Sequence, residues 1–286
     1  MLVTGGCFVA VTALVKYMGQ DVPSAQAAFL RYLLGLVFLI PMVPALRATR
    51  LTPRHWRLFA LRGVFHAAGV LLWFFAMTRI PIADVTALNY LAPIYVTIGA
   101  ALFLGERMAF RRIAAVVIAL VGAMIILRPG FREVETGHLA MLLAAVVFAG
   151  SYLLTKILAG EVSATIIVAM LSIFVTIALA PFAIAQWVTP SWHDVGVLFL
   201  VACFATAGHY TMTLAFAAAP VTVTQPVTFL QLVWAVLLGA LVFAEPVDGF
   251  VVLGGAVILA SVTFITWREA VVRGRTVTPT TPATKV

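Results

Sequence analysis

Short polar interruptions divide the chain into long apolar stretches near 2–18, 24–45, 57–79, 83–104, 110–128, 138–158, 163–186, 194–217, 221–243 and 249–267. A bilayer core requires roughly 20 apolar residues per helix, so this pattern predicts about ten transmembrane spans. The alternation of polar and apolar residues that marks barrel strands is missing. Backbone groups cannot stay unpaired in lipid, which makes helices the means of crossing. The expected fold is an all-α integral membrane protein.

Composition agrees with the pattern. The chain is 64% hydrophobic and 10% charged, with a mean hydropathy of +1.14, whereas soluble domains are about half apolar and a quarter charged. Cys7 and Cys203 both fall inside apolar runs without metal-like partners and read as buried thiols; no metal or other cofactor is expected. The net charge of +8 is concentrated on alternate connections. Arg47, Arg50, Arg54, Arg57 and Arg62 follow the second run, Arg107, Arg111 and Arg112 the fourth, and Lys156 closes the sixth. Arg268, Arg273, Arg275 and Lys285 occupy the tail. Most acids (Asp21, Asp84, Glu133, Glu135, Asp194, Glu245, Asp248) fall on the other connections. By the positive-inside rule this predicts both termini in the cytoplasm. The same placement accounts for the charge without nucleic acid, leaving the lipid bilayer and a small-molecule substrate as the expected partners of a monomer or weak homodimer. Residues 268–286, basic and rich in Thr and Pro, read as a disordered cytoplasmic tail.

Two apolar runs echo each other. PIADVTALNYLAPIYVTIGAALFLGE (81–106) and PVTVTQPVTFLQLVWAVLLGALVFAE (220–245) both open at a proline and close on a glutamate, at a constant offset of 139. At that offset Gly69 also meets Gly208, and at 140 Phe8 meets Phe148 and Lys16 meets Lys156. Five spans per half is an odd number, so the second half must enter the membrane inverted. The sequence thus predicts a five-helix repeat over 1–130 and a second, inverted five-helix repeat over 131–267. Inverted repeats are a hallmark of secondary transporters, with the solute site near the membrane midplane at the repeat interface.

The segments FAMTRIPIADVTALNYLAPIYVTIGAALFLGERMAFRR and VGAMIILRPG, with AAAPVTVTQPVTFLQLVWAVLLGALVFAEP in the second half, resemble EamA-type members of the drug/metabolite transporter superfamily over nearly the whole chain. The resemblance implies ten helices in two inverted units in a bacterial-type inner membrane. It also implies a central cavity lined by the first, third, fourth, sixth, eighth and ninth spans, and movement of small organic metabolites, more often outward than inward. The motifs are silent about the substrate. The resemblance further implies a few residues ahead of the first span.

Polar groups at membrane depth are the candidate site residues. Arg31 lies inside the second run with no acid near it in sequence; it reads either as an anchor for an anionic solute group or as an arginine that snorkels to the interface. Arg62, His66, Gly69, Trp73 and Met77 share one face of the third span, and either line a cavity or pack helices. Asn89, Tyr90 and Pro93 on the fourth span, His209 and Thr213 on the eighth, and Thr228, Gln231 and Trp234 on the ninth complete the expected substrate-binding set. Lys16, Lys156, Glu106 and Glu245 near span ends are expected to serve gating or structural contacts.

This set favours an alternating-access carrier of an amino-acid-like or other zwitterionic or amphipathic solute, with export the favoured direction. Import of a cofactor or nucleoside-like compound of the S-adenosylmethionine type is the alternative. A membrane-embedded enzyme would need a nucleophile with its base, paired acids or a metal cluster, and no such motif occurs. A channel is disfavoured because pores usually arise from oligomer symmetry rather than from an internal repeat.

Overall fold

The structure is a computed structural model that describes residues 2–19, 21–103, 110–218 and 221–276; among these, the side chains of 164, 212–218, 221–229, 269–270 and 272–276 are outside the description. The described residues are helical, with one isolated backbone bridge between Pro129 and Arg132. The helices are α1 (Leu2–Met18), α2 (Ser24–Gly35), α3 (Val43–Ala48), α4 (Pro53–Met77), α5 (Ile82–Asn89), α6 (Ala92–Phe103), α7 (Phe110–Leu127), α8 (Thr136–Leu158), α9 (Ala164–Ala185), α10 (Trp192–Ala218), α11 (Val221–Phe243) and α12 (Gly249–Thr276). Among the described residues eight helical segments are long and apolar enough to cross a membrane, and Leu2–Met18 and Leu230–Phe243 are shorter apolar helices.

Two expected spans are not single α-helices. From Leu36 to Met42 the second span tightens into a 3-10 helix before α3. Pro41 lies in this segment and Pro44 opens α3, and each lacks the amide that a regular helix would need. The fourth span breaks at Tyr90 and Leu91, between α5 and α6, one turn ahead of Pro93. There the amide of Leu91 turns back to Leu88 at 3.1 Å, and that of Ile94 to Leu91 at 2.9 Å. A third difference lies at the end of the chain: α12 runs past Arg268 to Thr276, so the helix extends into the segment read as tail.

Packing pairs the halves crosswise. The most extensive interfaces are α4 on α8, α7 on α12 and α1 on α10. Exchanging each helix for the one five spans away turns the first of these into the third and leaves the second unchanged. Individual contacts obey the same exchange. A methyl group placed on Gly69 would come within 2.7 Å of the Phe148 ring, and one on Gly208 within 3.4 Å of the Phe8 ring. The sequence offsets matched Gly69 with Gly208 and Phe8 with Phe148, so the two contacts are counterparts of each other, and each joins one half to the other. Glycine is needed here for close approach of α4 to α8. Gly69→Ala is therefore expected to destabilise by about 1–3 kcal/mol through overpacking, read by thermal unfolding in detergent. Gly6→Ala, whose added methyl would meet nothing within 4 Å, is the control and should be neutral or slightly stabilising.

Buried side chains of α1, α2 and α4 to α12 form one continuous apolar core, with Phe74, Met77, Ile80, Leu88, Leu91, Ile94 and Met141 among the residues sealed from solvent. The outward faces carry large apolar side chains such as Leu61, Val117, Leu143, Ile177 and Leu241. In lipid, this arrangement buries polar groups and displays oily ones at little cost.

Candidate functional site

A cluster of polar side chains lies between α2, α4, α8 and α10, away from the helix ends. With a rise of 1.5 Å per residue, Arg31 sits about 10 Å along α2 and His66 about 20 Å along α4. The sides of Arg31, Arg62 and His66 are buried, each residue only 6% exposed. Arg31 stacks its guanidinium over Tyr32 at 4.2 Å. Arg62 donates from Nη1 to the carbonyl of Ile167 on α9 at 2.7 Å. His66 Nδ1 meets Ser151 Oγ at 3.3 Å, and its ring lies 5.1 Å from Phe148 and edge-on to Tyr32 at 6.4 Å. His209, edge-on to Phe8 at 5.2 Å, feels the charges of both Arg31 and Arg62, as does His66.

The structure thus brings together Arg31, His66 and His209 of the expected set. Trp73 is partly buried against the main core and packs edge-on with Phe74, one turn beyond the Gly69 contact. Asn89 and Tyr90 stand at the break between α5 and α6, where Tyr90 bonds the backbone of Leu232 on α11. Gln231 is partly buried and lies against Gly5 of α1. Pro93 is exposed and Trp234 is 47% exposed; a proline's helical register says only which face it shares, not what covers that face. The side chains of Thr213 and Thr228, and all of Glu106, lie outside the described residues. Arg62 was visible as a polar member of its span, but Tyr32 and Phe148 carry no sequence signal for a site, since aromatic residues in a membrane helix are ordinary.

One end of the bundle is held by ionic contacts. Lys16, at the end of α1, pairs with Glu245 and donates to the carbonyl of Ile80 at 2.9 Å. Glu245 also accepts the amide of Ile82 at 3.0 Å. Ala244 adopts a left-handed conformation, φ 53°, which turns the chain after α11 and presents this glutamate. Beside it, Asp84 is bonded by Arg132 at 2.7 Å and His138 at 2.8 Å, while Arg128 pairs with Asp248. His138 Nδ1 accepts the amide of Glu135 at 3.1 Å, so the neutral ring carries its proton on Nε2 and donates it to Asp84. A pocket of about 180 Å³ lies among Asp84, Arg128, Arg132, Glu245 and Asp248. Gln26 completes this end, its amide exchanging two bonds with the backbone of Val188 at 2.6 and 2.9 Å.

The opposite end repeats the device. His55 caps α4 together with Thr52, and its Nε2 bonds Glu161 at 2.9 Å, next to a bond from Arg54 at 2.6 Å. Hydrogen bonds from Arg54 and then His55 hold the Glu161 carboxyl below its ordinary range. A depressed folded value means that this link contributes above the carboxylate's unfolded value, near pH 4.3, and fades as pH falls through the folded value. The difference in thermal stability between the wild type and Glu161→Gln should accordingly be steady near neutral pH and vanish in acid. Lys156 lies near this end of α8.

Comparison with known proteins places this arrangement. The EamA-like transporter family matches residues 1–128 and again 135–267. The chain is 32% identical to a riboflavin transporter of Rhizobium johnstonii, covering 94% of this chain and 90% of that protein. It is 25% identical to an S-adenosylmethionine uptake transporter of Rickettsia prowazekii (89% and 86% covered) and 25% identical to a pseudopaline exporter of Pseudomonas aeruginosa (89% and 90% covered). A solved crystal structure shares the fold with a TM-score of 0.61 at 17% identity, over 92% of this chain and 96% of that one. With both halves matched and the relatives covered along most of their length, the chain belongs to the EamA-like transporter family.

Proposed function

We propose that the chain carries its solute by alternating access, as two inverted five-helix repeats, 1–130 and 131–267, rocking about the central cluster. The family makes it a small-metabolite transporter of the inner membrane rather than an enzyme. The observation that carries the mechanism is the crosswise exchange of contacts, Gly69 with Phe148 and Gly208 with Phe8. Two halves that make the same contact in opposite senses can interchange conformations and open to either side in turn. The break at Tyr90 and Leu91 fits this reading, because discontinuous helices at a repeat interface are a common way to build a solute site.

Tyr32, Phe148 and Tyr152 beside His66 suit an amphipathic solute with a flat apolar portion. Carboxylates of the described residues sit at helix ends and turns, where Asp84, Glu161, Glu245 and Asp248 are paired with basic groups. Transport then follows the solute gradient or exchange, with no carboxylate relay. Both termini face the cytoplasm in this reading, the protein works as a monomer or weak homodimer, and export is the working direction. Uptake is the second reading, favoured by the uptake relative that shares the same 25% identity as the exporter. Proteoliposomes preloaded with unlabelled riboflavin, S-adenosylmethionine or tryptophan test the mechanism. Saturable counterflow, with labelled solute transiently overshooting equilibrium, is the expected result. Flux that stays linear in concentration without overshoot for every solute would replace the carrier by a pore.

A further inference from the structure

Among the described residues the central cluster contains two guanidinium groups and no acid. Arg31 and Arg62 are each 6% exposed. One Nη of Arg31 and the Nε of Arg62 are buried with no hydrogen-bond partner among the described residues. Among the described residues, the carboxylates that pair with basic groups do so elsewhere: Asp84, Glu245 and Asp248 at one end of the bundle, Glu161 at the other. Arginine does not shed its charge on burial, and an unpaired buried charge is among the costliest features a fold can hold. Two such charges in one place call for an anion that the described residues do not supply.

The geometry points to an oxyanion site in which Arg31 and Arg62 together hold the carboxylate or phosphate group of the carried solute. This inference rests on the carrier reading and specifies the charge of its solute. Both arms are fixed in advance. The stack on Tyr32 orients the Arg31 plane, and the bond to the Ile167 carbonyl anchors one Nη of Arg62 while leaving its Nε to donate. The two charges converge, since both act on His66 and both act on His209. A planar fork of donors matches carboxylate and phosphate oxygens, and charge-assisted bonds of this kind are about twice as strong as neutral ones. Tyr32 and Phe148, flanking His66, then form the apolar wall beside the charged group.

Three probes with one ring and different heads test the site on the purified full-length protein: benzoate, phenyl phosphate and neutral benzamide, each against matched sodium chloride. Thermal stability and direct binding are read on wild type, Arg31→Gln and Arg62→Gln. The expected result is saturable stabilisation of the wild type by one or both anions and none by benzamide, the stronger anion identifying carboxylate or phosphate as the head group. Each glutamine variant should weaken that anion by about 10- to 100-fold, the value of one charged hydrogen bond. Without ligand the variants should melt at or above the wild-type temperature, because an uncompensated charge has been removed. Three results would overturn the inference: no anion response in the wild type, benzamide binding as well as the anions, or anion binding unchanged in both variants. Variants that melt well below the wild type while the wild type ignores anions would assign the arginines to structure alone. Because binding is read without a gradient, a failure here leaves a carrier of neutral solutes standing, and a failure of counterflow leaves the anion site standing.

Discussion

Asp84→Ala is expected to be the most damaging single substitution at the helix ends, with a loss of about 3 kcal/mol, at the low end of the range for breaking a buried charge pair. Asp84 is 1% exposed and receives both Arg132 and His138. Removing it strands the Nε2 proton of His138 in a place 1% exposed to solvent. It also leaves Arg132 with Asp248, 3.7 Å away and already paired with Arg128, as its nearest acid. Arg132 keeps some access to solvent, with a side chain 20% exposed, which is why the lower figure applies. Asp84→Asn retains an oxygen for His138 but not the charge, and should lose less. Thermal or denaturant unfolding in detergent measures both. A change within about 0.5 kcal/mol for Asp84→Ala, typical of surface positions, would show that this network does not hold the end of the bundle.

Breaking the Lys16–Glu245 pair should combine loss of stability with loss of transport. The side chains are 19% and 11% exposed, and the contact joins the end of α1 to the turn between α11 and α12. Glu245→Ala should cost about 2–3 kcal/mol, somewhat less than a fully buried pair because some water reaches both groups. It should also bias the carrier toward opening at this end, lowering the counterflow rate. The exchanged double variant, Lys16→Glu with Glu245→Lys, should recover part of both losses, with a coupling of about 0.5–3 kcal/mol in a double-mutant cycle. Recovery is partial because Glu245 also accepts the Ile82 amide at 3.0 Å, which a lysine cannot do. Additive single effects would mean that the two residues act separately.

The all-α membrane character was legible because lipid imposes length and apolarity on every crossing helix. The offsets of 139 and 140 were also legible, and the structure turns the Gly69, Gly208, Phe8 and Phe148 matches into two interlocking contacts. The break before Pro93 and the 3-10 stretch around Pro41 were only half legible. A proline reports that an amide is missing, but where the chain bends depends on which carbonyls the neighbours can satisfy. Spacing on a helix tells which residues share a face and is silent about what covers it. For that reason spacing grouped Pro93 and Trp234 with Asn89 and Gln231, although the first two are exposed and the other two partly buried. It is also why His55 and His138 were not singled out: each is a local helix cap whose second nitrogen meets an acid 106 or 54 residues away. Arg62 was counted among the cytoplasmic charges as well as on the His66 face; its bond to Ile167 shows that it is buried against α9.

Alternating access is tested most directly by distances at the two ends of one molecule. With Cys7 and Cys203 replaced, one spin-label pair goes on Asp21→Cys and Val247→Cys, at the end held by Glu245. The other goes on Arg50→Cys and Gly160→Cys, at the end held by Glu161. The distance distributions are read by pulsed electron resonance in nanodiscs, in the wild-type background and with Glu245→Ala. Glu245→Ala is expected to shift the first pair to longer distances and the second to shorter ones. A single unchanged distance at both ends, or lengthening at both together, would contradict it.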